Sequence, residues 1–436
     1  MYGALGKLSP GGYKMDTDNG RESSLGKAGA FLSNIDPGMR RLIAIGVVET
    51  LAVTLYASLL APWYKSLGYE SAAQGWLAFV VQLTSALVAI AGGILADRLG
   101  RKRMYVTGQI IRCAVPVFLL LTKSYLGLII VSLLRGLTLI QKPAENAFVG
   151  AYTEQKNRAT LMSIHQTAYL LAAMVGPMTA GFLADLYGVK IPMVLGLVLA
   201  VAAIIIAIPL KDPLETEQDA SDAIYIEQQS LTVRSFFSGV KELFSQPNSP
   251  ILVMLLIASL ANGLGNGAVN ILLPFTVMDR FSSGYTAVTA LSLFSSLGTV
   301  LVILIGGRIA DIKGRRGIIL ISGSIFPVIM ISMLWISELW QVYAVLLLIT
   351  MVGNISSPAM QALNIEVVEP KYLATWSGFL MCASSLGMGV GSILGGFMYR
   401  LNPDLAWIVT VILFALSVVC YYFVLKPKPT LEQISA

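Results

Sequence analysis

One acid, Glu49, stands deep in a long apolar stretch, about nine residues from its start, with no second carboxylate in that stretch. Further along, Arg135, Thr138, Lys142, Glu145 and Asn146 recur at helical spacing and share one face within an arc of roughly 100°. Asn262, Asn266 and Asn270 follow at i, i+4 and i+8, a neutral polar stripe inside another apolar stretch. Ionisable groups in hydrocarbon are costly and mark functional sites. A carboxylate for which a proton and a solute compete can couple a proton gradient to the flow of that solute; a permanent structural ion pair is the alternative. A single polar face on a membrane helix lines a cavity, with Arg135 near mid-depth and Lys142 and Glu145 about 10 and 15 Å nearer one surface. The asparagine stripe is expected to line a cavity too, the alternative being hydrogen bonds between helices.

The elements that must hold these groups are membrane helices. Of 436 residues, 56% are hydrophobic and 12% charged, and the mean hydropathy is +0.75. Soluble domains carry about 25% charged residues, so this composition cannot cover a water-facing surface. The net charge of +6 and pI near 9.1 come from basic residues scattered between apolar runs, which argues against a nucleic-acid face. Cys113, Cys382 and Cys420 all lie in apolar runs, and His165 has no partner histidine, so no disulfide framework or metal site is expected. His165 reads as a packing or gating residue rather than a proton relay. Gly6-Lys7 and Gly26-Lys27 lack the glycine that a phosphate loop needs upstream, and no cofactor or enzymatic nucleophile–base set is expected.

Twelve runs are long enough to span: roughly 40–64, 74–97, 104–122, 125–151, 159–187, 190–209, 251–279, 285–309, 317–336, 339–363, 372–399 and 405–425. Of the 30 Lys and Arg, 21 fall on one side of this topology and 5 on the other, which predicts both termini in the cytoplasm. Residues 1–38 read as a disordered cytoplasmic tail without a cleavable signal, and 426–436 as a second tail. Residues 39–209 and 251–425 form two six-helix halves. Between them, 210–250 is a cytoplasmic linker, acidic at first. Its second half, Leu231 to Phe244, carries apolar residues at the spacing of an amphipathic surface helix; a plain connecting segment is the alternative.

The halves repeat. Gly93, Asp97, Gly100 and Arg101 match Gly307, Asp311, Gly314 and Arg315 at an offset of 214. Pro143, Glu154, Lys156, Ala159 and Thr160 match Pro358, Glu369, Lys371, Ala374 and Thr375 at 215, as Gly176 and Gly181 match Gly391 and Gly396. Duplication of a six-span unit gives two parallel halves about an axis along the membrane normal. By this register Glu366 pairs with Ala151 at the edge of span four, and is not counted as an intramembrane acid.

Gly92-Gly-Ile-Leu-Ala-Asp97-Arg98-Leu-Gly100-Arg101-Lys-Arg103 resembles the loop between spans two and three of the major facilitator superfamily of secondary transporters. Arg135 with Pro143 resembles its fourth-span motif, with Leu139 where a glycine is usual. Ala172-Ala-Met-Val-Gly176-Pro177-Met-Thr-Ala-Gly181 resembles the fifth-span motif of drug:proton antiporters, with Ala172 and Ala180 for two of its glycines, and Leu59 to Tyr64 loosely resembles the same branch. The resemblance implies that spans one, four, seven and ten surround the central cavity, so that Glu49 is expected to meet Arg135 or Lys142. It implies a latch in which Asp97 faces the start of span eleven near Thr375. By internal symmetry Asp311 faces the start of span five near Thr160, and Arg101 and Arg315 have Glu154 and Glu369 as partners. Positive-inside topology alone is the alternative for the arginines, but not for Asp97.

The expected protein is an all-α, twelve-span transporter of alternating-access type, driven by a proton gradient, exporting a small organic or drug-like solute as a monomer in a bacterial or archaeal cytoplasmic membrane. Glu49, Glu145 and Arg135 are expected to couple the proton. Tyr56, Lys142, Asn146, Tyr169, Asn262, Asn266 and Asn270 are expected to line the solute cavity, the aromatic rings suiting a partly apolar solute. An uptake symporter for a sugar or organic acid is the alternative, and a non-transporting sensor or scaffold a remoter one.

Overall fold

A computed structural model describes residues 36–152, 158–210, 242–245, 249–313, 315–368 and 372–425. Its described side chains exclude 89–99, 150–151, 158–160, 162–163, 303–313, 315, 362, 365–366 and 373–374. Among the described residues twelve helical segments are long and apolar enough to cross a membrane. Span one is Pro37–Ala57 continued by Leu60–Ser66, span two Ser71–Leu99 and span three Arg101–Leu121. Span four is Tyr125–Leu137, a 3-10 turn Thr138–Gln141, and Lys142–Ala151; spans five and six are Arg158–Tyr187 and Lys190–Ala207. Spans seven and eight are Ser249–Phe281 and Tyr285–Lys313; span nine is Arg315–Ile331 with a 3-10 turn Ser332–Trp335. Span ten is Leu339–Ile355 followed by Ser357–Glu366, and spans eleven and twelve are Leu373–Leu401 and Pro403–Val424. An even number of crossings puts both ends of the bundle's chain on one face, here called the terminal face; the other is the distal face.

Local chemistry sets several of these boundaries. Asp36 caps span one by accepting from the Gly38 N–H at 2.7 Å, with Pro37 at the first helical position, and Asn402 with Pro403 repeats the device at span twelve. Gly100, at φ +85°, makes the sharp turn between spans two and three that a side chain would strain. Spans four and ten break at equivalent places, just before Pro143 and Pro358. A proline removes one N–H from the ladder and crowds the carbonyl four residues back, so the duplicated proline produces a duplicated break.

The two halves meet through span two against span eleven and span five against span eight, pairs exchanged by the internal repeat. Within the second half, span seven packs on spans eleven and twelve. Large apolar side chains such as Leu121, Val328 and Trp340 stand exposed on the perimeter, as lipid contact requires. Of the segment 210–250, residues 211–241, and with them most of the expected amphipathic helix, lie outside the described residues. Leu243 is buried with Leu252, Leu255 and Trp376, so the end of the segment is packed onto spans seven and eleven.

Candidate functional site

Span one supplies the buried acid. Thr50, Thr54 and Ser58 bond their hydroxyls to carbonyls one turn back, at 2.7 Å each, and so satisfy themselves within the helix. Glu49 has no such recourse, and at 6% exposure it needs partners from neighbouring spans. Arg112 of span three forms an ion pair with it, Gln109 of span three donates to its Oε2, and Gln141 donates to its Oε1 at 2.9 Å. Gln141 comes from the 3-10 turn of span four, and Gly108 makes room for it: a Cβ there would lie 2.5 Å from the Gln141 Cβ.

Arg135 and Lys142 are the partners expected for Glu49, and neither holds it. The cause is the break in span four. Four residues advancing at about 120° instead of about 100° turn the following segment by roughly 80° relative to a continuous helix. The polar face read as one stripe is therefore split. Arg135 lines a cavity between the halves, while Lys142 pairs with Glu145 at 2.8 Å and lies 5.9 Å from the centre of the Tyr169 ring. Asn146 is exposed and lines neither of the two central cavities. Glu145 is buried, and His165 of span five sits against Gly46 of span one. Sequence reasoning misses Arg112, Gln109 and Gln141, although Gln109 and Arg112, three residues apart, mark one polar face on span three.

Two cavities adjoin at the middle of the bundle. The first, of about 600 Å³, lies between the halves and is lined by Thr54, Ser58, Tyr64 and Arg135 on one side and Asn270 and Ser292 on the other. The second, of about 510 Å³, lies within the second half, where Asn262, Asn266 and Asn270 line it together with Asn354 and Gln361. Asn266 also donates to the Asn262 side chain at 2.7 Å, along its own helix. Tyr56 does not line either cavity. It is 2% exposed, in an apolar cluster with Leu60 and Met193, against Gly196 of span six. Glu49 lines neither cavity as well: it and Tyr56 share a face of span one that is turned about 140° or more from Thr54.

Glycines set the close approaches. A Cβ on Gly176 would lie 3.0 Å from Thr54 Cβ, one on Gly181 2.7 Å from the Thr286 Cα, and one on Gly391 2.7 Å from the Leu264 Cα. Gly396 packs on the Ser71 backbone, and Ser71 Oγ donates to the Gly396 carbonyl at 2.8 Å. Pro177 lines the first cavity. In the repeat register Gly181 on Thr286 and Gly396 on Ser71 are the same contact made twice, both at the distal face.

The distal face carries two more bridges between the halves. Asp185, at the end of span five, accepts from the Tyr285 and Thr286 N–H groups at 2.8 and 2.9 Å and so caps span eight from another helix. Lys65 pairs with Asp279 across the same face. Of the expected latch at the terminal face, Gly100 and Arg101 are described; Gly314, Glu154 and Glu369 and the side chains of Gly93, Asp97, Arg98, Asp311 and Arg315 lie outside the described residues. Loss of an N-cap costs about 1–2 kcal/mol. Asp185→Ala is therefore expected to raise the population with spans five and eight separated about tenfold, read as spin-label distances across the distal face; an unchanged distribution would contradict a closing role for this cap.

Twelve spans in two related halves around a central polar cavity define a secondary transporter built from parallel repeats. The sequence model of the Major Facilitator Superfamily matches residues 42–295 and 255–436. The chain belongs to that family. It is 22% identical over 319 residues to "Multidrug resistance protein MdtG" of Proteus mirabilis, covering 72% of this chain and 76% of that one. It is 23% identical over 363 residues to "Multidrug resistance protein 2" of Bacillus subtilis, covering 81% and 87%. In fold it is similar to the crystal structure of the nucleoside transporter NupG, with a TM-score of 0.72, 16% identity, and coverage of 90% of this chain and 100% of that one. A bacterial homologue of the human lysosomal transporter Spinster, inward-facing and unoccupied, is similar at a TM-score of 0.69, with 16% identity and coverage of 89% and 96%.

Proposed function

We propose that this multi-pass transporter is a proton-coupled exporter of small organic or drug-like solutes, working as a monomer with both termini in the cytoplasm of a bacterium or archaeon. The observation that carries the reading is the buried Glu49 carboxylate, held by Arg112 and two glutamine amides inside the first half. Protonation removes the negative charge that offsets Arg112 and weakens what Gln141 donates to. The multidrug names of relatives that span most of the chain support the solute class and the direction.

The separation of Glu49 from the cavities changes how coupling works. Proton and solute do not compete for one group. Gln141 reads the state of Glu49 from one end of the 3-10 turn, and Arg135 stands in the cavity six residues earlier on the same span. The turn is the element that both ligands bias, as coupling between distinct sites requires. Glu145, paired with Lys142 just beyond the turn, is a second group whose protonation acts on it.

Proteoliposomes test the reading, with ethidium, 1-naphthoate and uridine as probes. Uptake of at least one probe against its gradient is expected when the lumen is acid, above that in protein-free liposomes. This sign holds for either orientation of the protein. Uptake driven by an acid exterior would identify a symporter, and uptake indifferent to the proton gradient would remove proton coupling.

A further inference from the structure

We propose that the cavity between the halves is an organic-anion site, with Arg135 as the countercharge and the Tyr64 hydroxyl as a second donor. The proposal rests on the transporter reading above and names the charge class of its solute. Arg135 is the one charged side chain among the described residues lining this cavity, and it forms no ion pair among the described residues. The acid that sequence spacing would have given it, Glu49, is already matched by Arg112 and two amides. A guanidinium does not shed its proton, so its charge in a low-dielectric chamber must be met by an anion from elsewhere.

The hydroxyl of Tyr64 is a second and independent observation. Tyr64 is 4% exposed, lines the same cavity, and its hydroxyl has no hydrogen-bond partner among the described residues. Arg135 lies within electrostatic reach of that hydroxyl. Several neighbouring polar groups are already spent. Thr54 and Ser58 bond along span one, Gln74 donates to the Ala61 and Tyr69 carbonyls at 3.0 and 2.9 Å, and Ser392 donates to the Gly267 carbonyl at 3.1 Å. Gln82 gives one N–H to the Met388 sulfur at 3.7 Å, so on the first-half wall Arg135, Tyr64 and the second N–H of Gln82 have donors to give. Leu77, Val81, Leu273 and Leu346 supply the apolar remainder. One guanidinium, one hydroxyl and an apolar chamber of about 600 Å³ fit a monoanion with a flat apolar body: an aromatic carboxylate, sulfonate or phosphonate. An organic cation would add a second positive charge to the same chamber.

Calorimetric binding to the purified full chain tests this with three probes of matched shape: 1-naphthoate, neutral 1-naphthamide and cationic 1-naphthylmethylammonium. Hydrogen bonds to charged groups predict naphthoate binding about ten- to a hundredfold tighter than the amide. Arg135→Gln is expected to erase that preference, Arg135→Lys to keep part of it, and Tyr64→Phe to reduce it. Equal binding of naphthoate and the amide, tighter binding of the cation, no naphthoate binding at millimolar concentration, or an unchanged preference in Arg135→Gln would each overturn the proposal. The wild-type comparison stands even where a variant fails to fold. Charge preference without proton-driven uptake would sink the coupling and leave the site; proton-driven uptake of ethidium without charge preference would do the reverse.

Discussion

Glu49→Gln is expected to reduce proton-driven accumulation to the level of protein-free liposomes while the protein still inserts and binds its solute. The amide keeps the size of the carboxyl group and can still accept from Gln141, but it cannot carry a charge that a proton cancels. What the 3-10 turn senses is therefore fixed in one state. Arg112 gives the complementary experiment. Its side chain is 13% exposed, and removing it as Arg112→Ala leaves Glu49 charged and unpaired. Breaking a buried pair in this way costs about 3–5 kcal/mol, whereas replacing both members costs much less. The double variant Glu49→Gln with Arg112→Gln should thus regain thermal stability lost in Arg112→Ala and remain without proton coupling. Stability that returns without transport separates coupling from a purely structural pair. Accumulation of solute against its gradient by Glu49→Gln vesicles would remove Glu49 from the mechanism.

The spans and their pairing are legible because long apolar runs and a constant repeat offset are carried by many residues at once. Span two, for instance, is bounded by its apolar run at 74–97 and extends over Ser71–Leu99. Glu49 stands out for a similar reason, as an acid where hydrocarbon penalises one. Its surroundings are not legible, since they depend on rotation about helix axes. The matched Pro143 and Pro358 signal duplication in the sequence, but the breaks they cause show only in three dimensions. On an unbroken helix Arg135 and Lys142 would share a face. Tyr56 does lie on the face of Glu49, yet that face looks into the first half, and span one meets the cavity through Thr54, Ala57, Ser58, Leu60, Ala61 and Tyr64. Asp185 gives no sequence signal at all: an acid at a span's end is common, and its role as a cap lies in a helix 100 residues away.

Span eleven permits two substitutions of the same kind with opposite expected outcomes. Gly391 faces span seven, where an added Cβ would meet the Leu264 Cα and carbonyl carbon at 2.7 Å each, and Gly387 and Gly263 continue the seam, with a Cβ on Gly387 2.7 Å from the Leu260 carbonyl oxygen. These neighbours are helix backbone, which cannot move aside by rotating a side chain. Small residues are what allow membrane helices to approach this closely. Gly391→Val is expected to force the two helices of one half apart, costing about 1–3 kcal/mol or more, with a matching loss of monodisperse protein on size exclusion and of melting temperature. Gly396 lies five residues on, about 140° round the helix, and faces Ser71 and Ala72 of the other half. Gly396→Val meets backbone as well, a Cβ lying 2.9 Å from the Ser71 carbonyl carbon, but across an interface that alternating access must open. It should fold and melt near wild type while the distal face populates its separated state. Gly317, where an added methyl would meet nothing within 4 Å, is the control, and Gly317→Ala should be neutral or slightly stabilising. Loss of folding in both seam variants alike would mean that the two halves do not move as separate bodies about the contact between spans two and eleven.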